Sequence, residues 1–308
     1  MARANRPFSR SLVKIGTRLF LGNSRAHVQD WFPGLRLILP PATQPGLIRY
    51  RQAAIAPLYR ADMLRQEAGP GIYIVGSGPS IAESDVTRIE SSSAILLNGA
   101  IHLIGSEIPA PLAIAIEDER FVWRHFDLMK EKIAPQTICL LSVAVIRAIC
   151  ERGIGWLYDK RIVLIDDIRK PYGARRRSLA EIRDFSFIRL NETGSAGLSL
   201  DPDRGVFQGG SVAISALQFA FYCSPDLIGI LGIDISNASQ PRFYESGQDM
   251  AYSGIVRAEG RILDYFTLAR TVAAEKGITL RNHSSVSALA KIGLAYDNRF
   301  AGKSHGDQ

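Results

Sequence analysis

The 308-residue chain has only three cysteines, Cys139, Cys150 and Cys223, an odd number without metal-ligand spacing, each among apolar neighbours. That scarcity argues against a disulfide scaffold or a zinc module and fits small buried thiols in a reducing cytoplasm. Long hydrophobic runs are also missing. Leu112–Ile116 and Leu227–Ile235 are short and run into acidic residues, whereas a transmembrane helix needs roughly 20 apolar residues. The N-terminus lacks the apolar core and small-residue cleavage site of a secretory signal. What remains, 46% hydrophobic and 22% charged, is ordinary globular composition, which excludes disorder, collagen and coiled coil. One surplus stands out: 37 Lys and Arg against 30 Asp and Glu, a net charge of +7, which points to an anionic partner.

Much of that surplus lies at the start. Residues 1–30 hold Arg3, Arg6, Arg10, Lys14, Arg18 and Arg25 against the single acid Asp30, while Phe8, Leu12, Ile15 and Leu19 recur at helical spacing. Two readings of this basic amphipathic helix stand side by side: it lies on an anionic leaflet, or it packs on the domain with a solvated basic face. Pro33, Pro40, Pro41 and Pro45 then make a connector. Residues 49–66 recover a helical period, so 1–68 reads as a basic N-terminal helical extension.

From residue 69 the pattern alternates. Gly71–Val75 reads as a strand, followed by Gly76-Ser77-Gly78-Pro79-Ser80 and a helix or turn over Ile81–Ile89 with Glu83 and Asp85 near its front. Strand, glycine loop and helix start together make an anion site. Ala94–Leu97 runs into Asn98, Leu112–Ile116 into Glu117-Asp118, and Ile162–Ile165 into Asp166-Asp167, with Ile138–Leu141 of the same type. Polar residues at the carboxyl ends of buried strands lie where open parallel sheets bind ligands. Helical segments near 120–132 and 142–152 intervene, which predicts an α/β fold: one doubly wound, mostly parallel, Rossmann-like sheet over 69–298.

Residues 169–204 read as a long polar loop containing Arg175-Arg176-Arg177, a solvated run or a contact for a phosphorylated acceptor. Asp201-Pro202-Asp203 has the acidic spacing of metal-dependent glycosyltransferases but reads better as a turn. Gly209-Gly210-Ser211 opens the helix Val212–Tyr222, which leads to the strand Leu227–Gly232 and to Ile233-Asp234-Ile235-Ser236. The polar stretch 237–254, with Tyr244 and Tyr252, is long for a loop and reads as a lid. A helix near 258–275, a strand Ile278–Leu280 and His283 follow, and 299–308 reads as a disordered tail.

Taken in order, the glycine loop with Asp85, then Asn98, then Gly209-Gly210-Ser211, then Gly232-Ile233-Asp234 resemble the bacterial sialyltransferases of glycosyltransferase family 42 and related lipooligosaccharide-core sugar transferases over about residues 70–290. The resemblance implies a metal-independent transferase with no cofactor beyond its CMP-sugar donor. Gly76, Ser77, Gly78, Pro79, Ser80 and Asn98 would bind the nucleotide, and Gly209, Gly210 and Ser211 would sit beside it. Asp234, Ser236, Tyr244 and Tyr252 would complete the donor site. A sialic acid or Kdo type of sugar would pass to a lipopolysaccharide or related surface glycan, at a cytoplasmic site peripheral to the inner membrane. No nucleic-acid partner is expected.

The chain departs from that family at several positions. Residues 237–280 contain no histidine for the family's general base, and Ser236 stands where the family has a phosphate-holding tyrosine. Ser77 replaces an asparagine, and the family's Arg and Ser before the helix-opening glycine are unmatched, although Arg204 lies nearby. The base must then come from elsewhere, and Glu117, Asp118 and His102 at strand ends are the candidates. Two alternatives share the motif. An ATP-dependent pterin diphosphokinase-like enzyme would use Asp118 and Asp234 as Mg²⁺ ligands, and a non-catalytic polysaccharide-assembly protein would keep only the fold.

Overall fold

The structure, a computed structural model, describes residues 6–235, 242–245 and 255–302, with backbone only at 255–257. The chain opens with helix α1 (Phe8–Arg25), broken at Gly22 where φ is +66°. Strands β1 (Leu35–Ile38), β2 (Gly46–Tyr50) and β3 (Ala53–Tyr59) and the short helix α2 (Asp62–Glu67) follow. Next come β4 (Gly71–Val75), β5 (Ala94–Leu97) and β6 (Ala113–Ile116), then α3 (Glu119–Lys132), β7 (Ile138–Ser142), α4 (Val143–Gly153) and β8 (Arg161–Ile165). A short α5 (Leu179–Ile182) and a hairpin of β9 (Ile188–Leu190) and β10 (Gly197–Ser199) lead to α6 (Val212–Cys223), β11 (Leu227–Leu231), α7 (Ile255–Lys276) and β12 (Thr279–Asn282).

Ten strands form one sheet in the order β1-β2-β3-β8-β7-β6-β5-β4-β11-β12, antiparallel through β1-β2-β3 and parallel from β3 onward. Successive residues of a strand point to opposite faces. Ile72 and Ile74 of β4 therefore join one core with Phe219, Phe221 and Phe266, while Tyr73 and Val75 join a second core with Val122, Ile146 and Ile149. Both faces are covered, so β4 to β7 are buried along their whole length, as their unbroken apolar runs require. Each fully buried aliphatic side chain contributes about 1.5–3 kcal/mol over an exposed one. The mostly parallel, doubly wound sheet expected from the sequence is thus observed.

Two expectations need correction. The helical period read over 49–66 belongs to β2 and β3, and only Asp62–Glu67 is helical. These strands lie toward one edge of the sheet, and Pro57, which cannot donate to a ladder, stands just before the parallel pairing of Leu58 and Tyr59 with β8. Residues 35–59 therefore extend the main sheet and are not a separate helical extension. Of the helix or turn expected over Ile81–Ile89, the structure shows the turn, as the 3-10 segments Pro79–Glu83 and Val86–Arg88. The tail begins later than 299, because Phe300 is buried edge-on against Tyr73 and its carbonyl accepts from the Asp85 amide at 2.8 Å. Residues 303–308 lie outside the described residues.

Candidate active site

In the sheet order, the chain runs to one side of β4 through β5–β8 and to the other through β11 and β12. The carboxyl edge at that reversal is where an open parallel sheet leaves a crevice. A cavity of about 680 Å³ opens there, and its lining joins the ends of six parallel strands: Gly76–Pro79 after β4, Asn98 after β5, Glu117 and Asp118 after β6, Ser142 of β7, Asp166 and Asp167 after β8, and Gly232–Ile235 after β11. The first turns of α3, α4 and α6 also face it, so three helices offer their amino ends to one space.

The glycine loop is held tightly on one wall. The Gly76 amide donates to the Leu231 carbonyl (2.8 Å) and the Gly78 amide to the Gly232 carbonyl (2.9 Å). Asp234 accepts from both the amide and the hydroxyl of Ser80, each at 2.7 Å. A Cβ on Gly78 would strike the Asp234 carboxylate and the Gly232 carbonyl. These glycines are therefore required by close packing of the loop on the Gly-Ile-Asp turn. The Gly76, Gly78 and Ser80 amides are thus engaged within the protein and no α-helix follows, while Gly76–Pro79 line the cavity.

Asn98 sits beside that loop in the left-handed region (φ +45°), which asparagine tolerates better than most residues. Its side-chain oxygen is buried without a hydrogen-bond donor among the described residues, so a ligand donor would relieve a real desolvation cost. Tyr244 packs over Gly99 and stacks on His102 at 4.2 Å, and its phenol accepts from Arg242 at 2.8 Å beside Ser77. Arg242 and Arg261 line the cavity, Arg261 near the start of α6. Arg261 donates to the Gly209 carbonyl at 3.2 Å and lies where a Gly210 side chain would be; Gly210 has φ +94°. Ser211 caps α6, accepting from the Ala213 amide. Two guanidinium groups and the amino end of a 12-residue helix can thus meet an anion.

The same lining holds a group of acids. Burial pushes Glu117 up to about 7, against a stabilising bond from the Ser215 hydroxyl at 2.7 Å, and the nearby Asp167 and Asp118 push it further. Burial likewise raises Asp166 to about 7 and Asp30 to about 6. Asp118 has a different setting: it caps α3 through the Arg120 amide (2.9 Å) and is chelated by the Arg120 guanidinium. Both its oxygens are engaged by Arg120. His102 lies beneath Tyr244, outside the cavity lining, and burial lowers its pKa. Of the three expected bases, Glu117 and Asp118 line the cavity and His102 does not; Asp118 is paired with Arg120, and Glu117 accepts from Ser215.

Other sequence-based candidates are placed as follows. Gly209 lies behind the lining, against Ile214 and Tyr265. Arg204 stacks on Phe187 at 3.9 Å, outside the cavity, and Asp203 accepts from the Ala61 amide at 2.8 Å, as a structural turn requires. His283 is buried against the Asp297 carbonyl at 3.0 Å. Both Asp234 oxygens are engaged by Ser80, and among the described residues no three His, Cys, Asp or Glu side chains are placed to hold a metal. Ser236, Tyr252 and most of the 237–254 lid lie outside the described residues. Sequence reasoning missed Arg242, Arg261, Asp30 and Lys170, which come from loops and helices that no strand-end rule marks; it noted Asp166-Asp167 without assigning a role.

No known family model and no curated protein matches the chain. Among solved structures it is similar to the sialyltransferase CstII from Campylobacter jejuni in complex with the substrate analogue CMP-3FNeuAc, at 11% identity over 77% of this chain and 92% of that one, with a TM-score of 0.35. It is also similar to the sialyltransferase CST-II in complex with a trisaccharide acceptor and CMP, at 12% identity over 76% and 91%, with a TM-score of 0.36. Likeness this distant does not decide function.

Proposed function

We propose that the protein is a glycosyltransferase that moves an acidic sugar of the sialic acid or Kdo type from a CMP donor to a lipopolysaccharide or related surface glycan, without a metal, at the face of an anionic membrane. The observation that carries the reading is one cavity whose lining brings Arg242, Arg261 and the amino end of α6 together with Glu117, a carboxyl group that burial pushes up to about 7 and that accepts from Ser215 of the same helix. Asn98 offers an acceptor to the nucleotide. Arg242, Arg261 and the amino end of α6 take the charge that grows on the departing phosphate. Glu117, aligned by Ser215, takes the proton of the attacking hydroxyl, and its pKa suits a general base at neutral pH.

The test is direct. Calorimetry should show CMP binding without added metal, and CMP-sugar hydrolysis should rise with pH to a plateau above about 7, because Glu117 must be ionised to act. If the protein is instead stabilised by ATP only with Mg²⁺, the diphosphokinase reading replaces this one. If no nucleotide stabilises it, the fold serves a non-catalytic role.

A further inference from the structure

Helix α1 meets the protein through an unusual face. Its buried residues are Arg10 and Thr17: Arg10 donates to the carbonyls of Phe32 (2.7 Å) and Gln29, and the Thr17 hydroxyl donates to the Lys14 carbonyl (3.1 Å). At about 100° per residue, Phe8, Leu12, Ile15 and Leu19 form a narrow stripe on the opposite side. That stripe is open, with exposures of 77%, 55%, 56% and 75%, and Phe20 beside it is 88% exposed. A helix of an ordinary soluble domain turns such a stripe inward, and a contiguous exposed apolar patch marks an interaction surface.

A basic rim flanks the stripe on one side. Helix α1 has no acidic residue, and Lys14, Arg18 and Arg25 are exposed on it. The distant arginine triplet joins them: the Arg176 amide donates to the Ser24 carbonyl at 2.8 Å, and His27 contacts the carbonyls of Pro171 and Ala174. Arg175 is tied to Glu181, while Arg176 is exposed. Pairing with a second copy through this surface would bring two such basic rims together, which like charges oppose. An anionic bilayer satisfies both parts, and no described helix is long and apolar enough to cross it.

We propose that the exposed face of α1, together with the Arg175–Arg177 loop, is a docking surface for an anionic lipid bilayer, with α1 lying in the boundary between headgroups and acyl chains. This deepens the membrane-facing part of the transferase reading by naming the surface. Arg6, Gln29, Asp30 and Trp31, at the root of the same segment, line the cavity, so docking sets the side of the cavity at which the leaflet lies.

Full-length protein is sedimented with phosphatidylcholine vesicles and with vesicles containing phosphatidylglycerol. Binding to the anionic vesicles alone, weakened by salt, is expected. The combined Leu12→Gln, Ile15→Gln and Leu19→Gln variant should lose about a hundredfold or more in vesicle affinity, and Arg176→Ala about fivefold. CMP titration of the same variants in solution should match wild type, since none of these residues lines the cavity. Vesicle binding by a wild type that ignores CMP leaves this surface standing and removes the donor reading. Failure of wild type to sediment with anionic vesicles, undiminished sedimentation of the triple variant, or a wild-type dimer that this variant dissolves would each overturn the proposal.

Discussion

The two walls of the cavity are built in opposite ways. The wall at β4 and β11 carries the recognisable motif, yet its Gly76 and Gly78 amides are engaged by the Leu231 and Gly232 carbonyls and its Ser80 amide by Asp234. The wall at β6 and β8 carries no motif, yet it holds Glu117 and Asp166 with pKa values raised to about 7. A glycine-rich sequence here marks close packing of two loops, and the groups able to move a proton lie at other strand ends of the same cavity.

The largest expected effect that tests this contrast is on Glu117. Glu117→Gln should lower CMP-sugar turnover by about 10²–10⁴-fold, as loss of a general base does, with CMP affinity little changed by calorimetry. Equal losses in Asp118→Asn would show that the acids of the lining are not differentiated as described. That variant keeps an N-cap acceptor, because asparagine caps a helix about as well as aspartate, so it should leave stability within about 0.5 kcal/mol and turnover within a few-fold of wild type.

On the motif wall, Gly78→Ala should cost about 1–3 kcal/mol in urea unfolding, because its methyl would meet the Asp234 carboxylate. A neutral result would mean that the loop is free to rearrange around a ligand after all.

A smaller and more general effect is the pH dependence of stability. Glu117 keeps its proton to about pH 7 when folded, whereas an unfolded glutamate releases it near 4.3. Between those values the folded state binds more protons, so stability falls as pH rises from about 4 to 7 and is lowest above 7. Asp166 and Asp30 act in the same direction. Urea midpoints should therefore be higher at pH 5.5 than at pH 8 as far as these groups govern them, and Glu117→Gln should flatten the difference.

The sequence reveals these parts unequally. Strands β4 to β8 and β11 are legible because burial on both faces demands continuous apolar runs, and their ends locate the cavity wall through Asn98, Glu117 and Asp166. Strands β2 and β3 are not, since their alternate residues are half-exposed and Pro57 and Arg49 interrupt the run. The inversion of α1 is invisible in its periodicity: the same stripe serves a helix facing inward or outward, and only the burial of Arg10 and Thr17 decides. Arg242 and Arg261 were hidden because they reach the cavity from segments far along the chain. One consequence concerns truncation, for removing residues 1–30 would take away Arg6, Gln29 and Asp30 from the cavity lining and would disturb more than membrane contact.

The most direct test of the central claim is a CMP titration of wild type and Asn98→Gly, a change that keeps the left-handed backbone available while removing the amide. Metal-free binding by wild type that weakens about tenfold in the variant, the value of one hydrogen bond to a buried acceptor, is the predicted result. Equal CMP binding by both proteins, or no binding without Mg²⁺ and a preference for ATP, would contradict it.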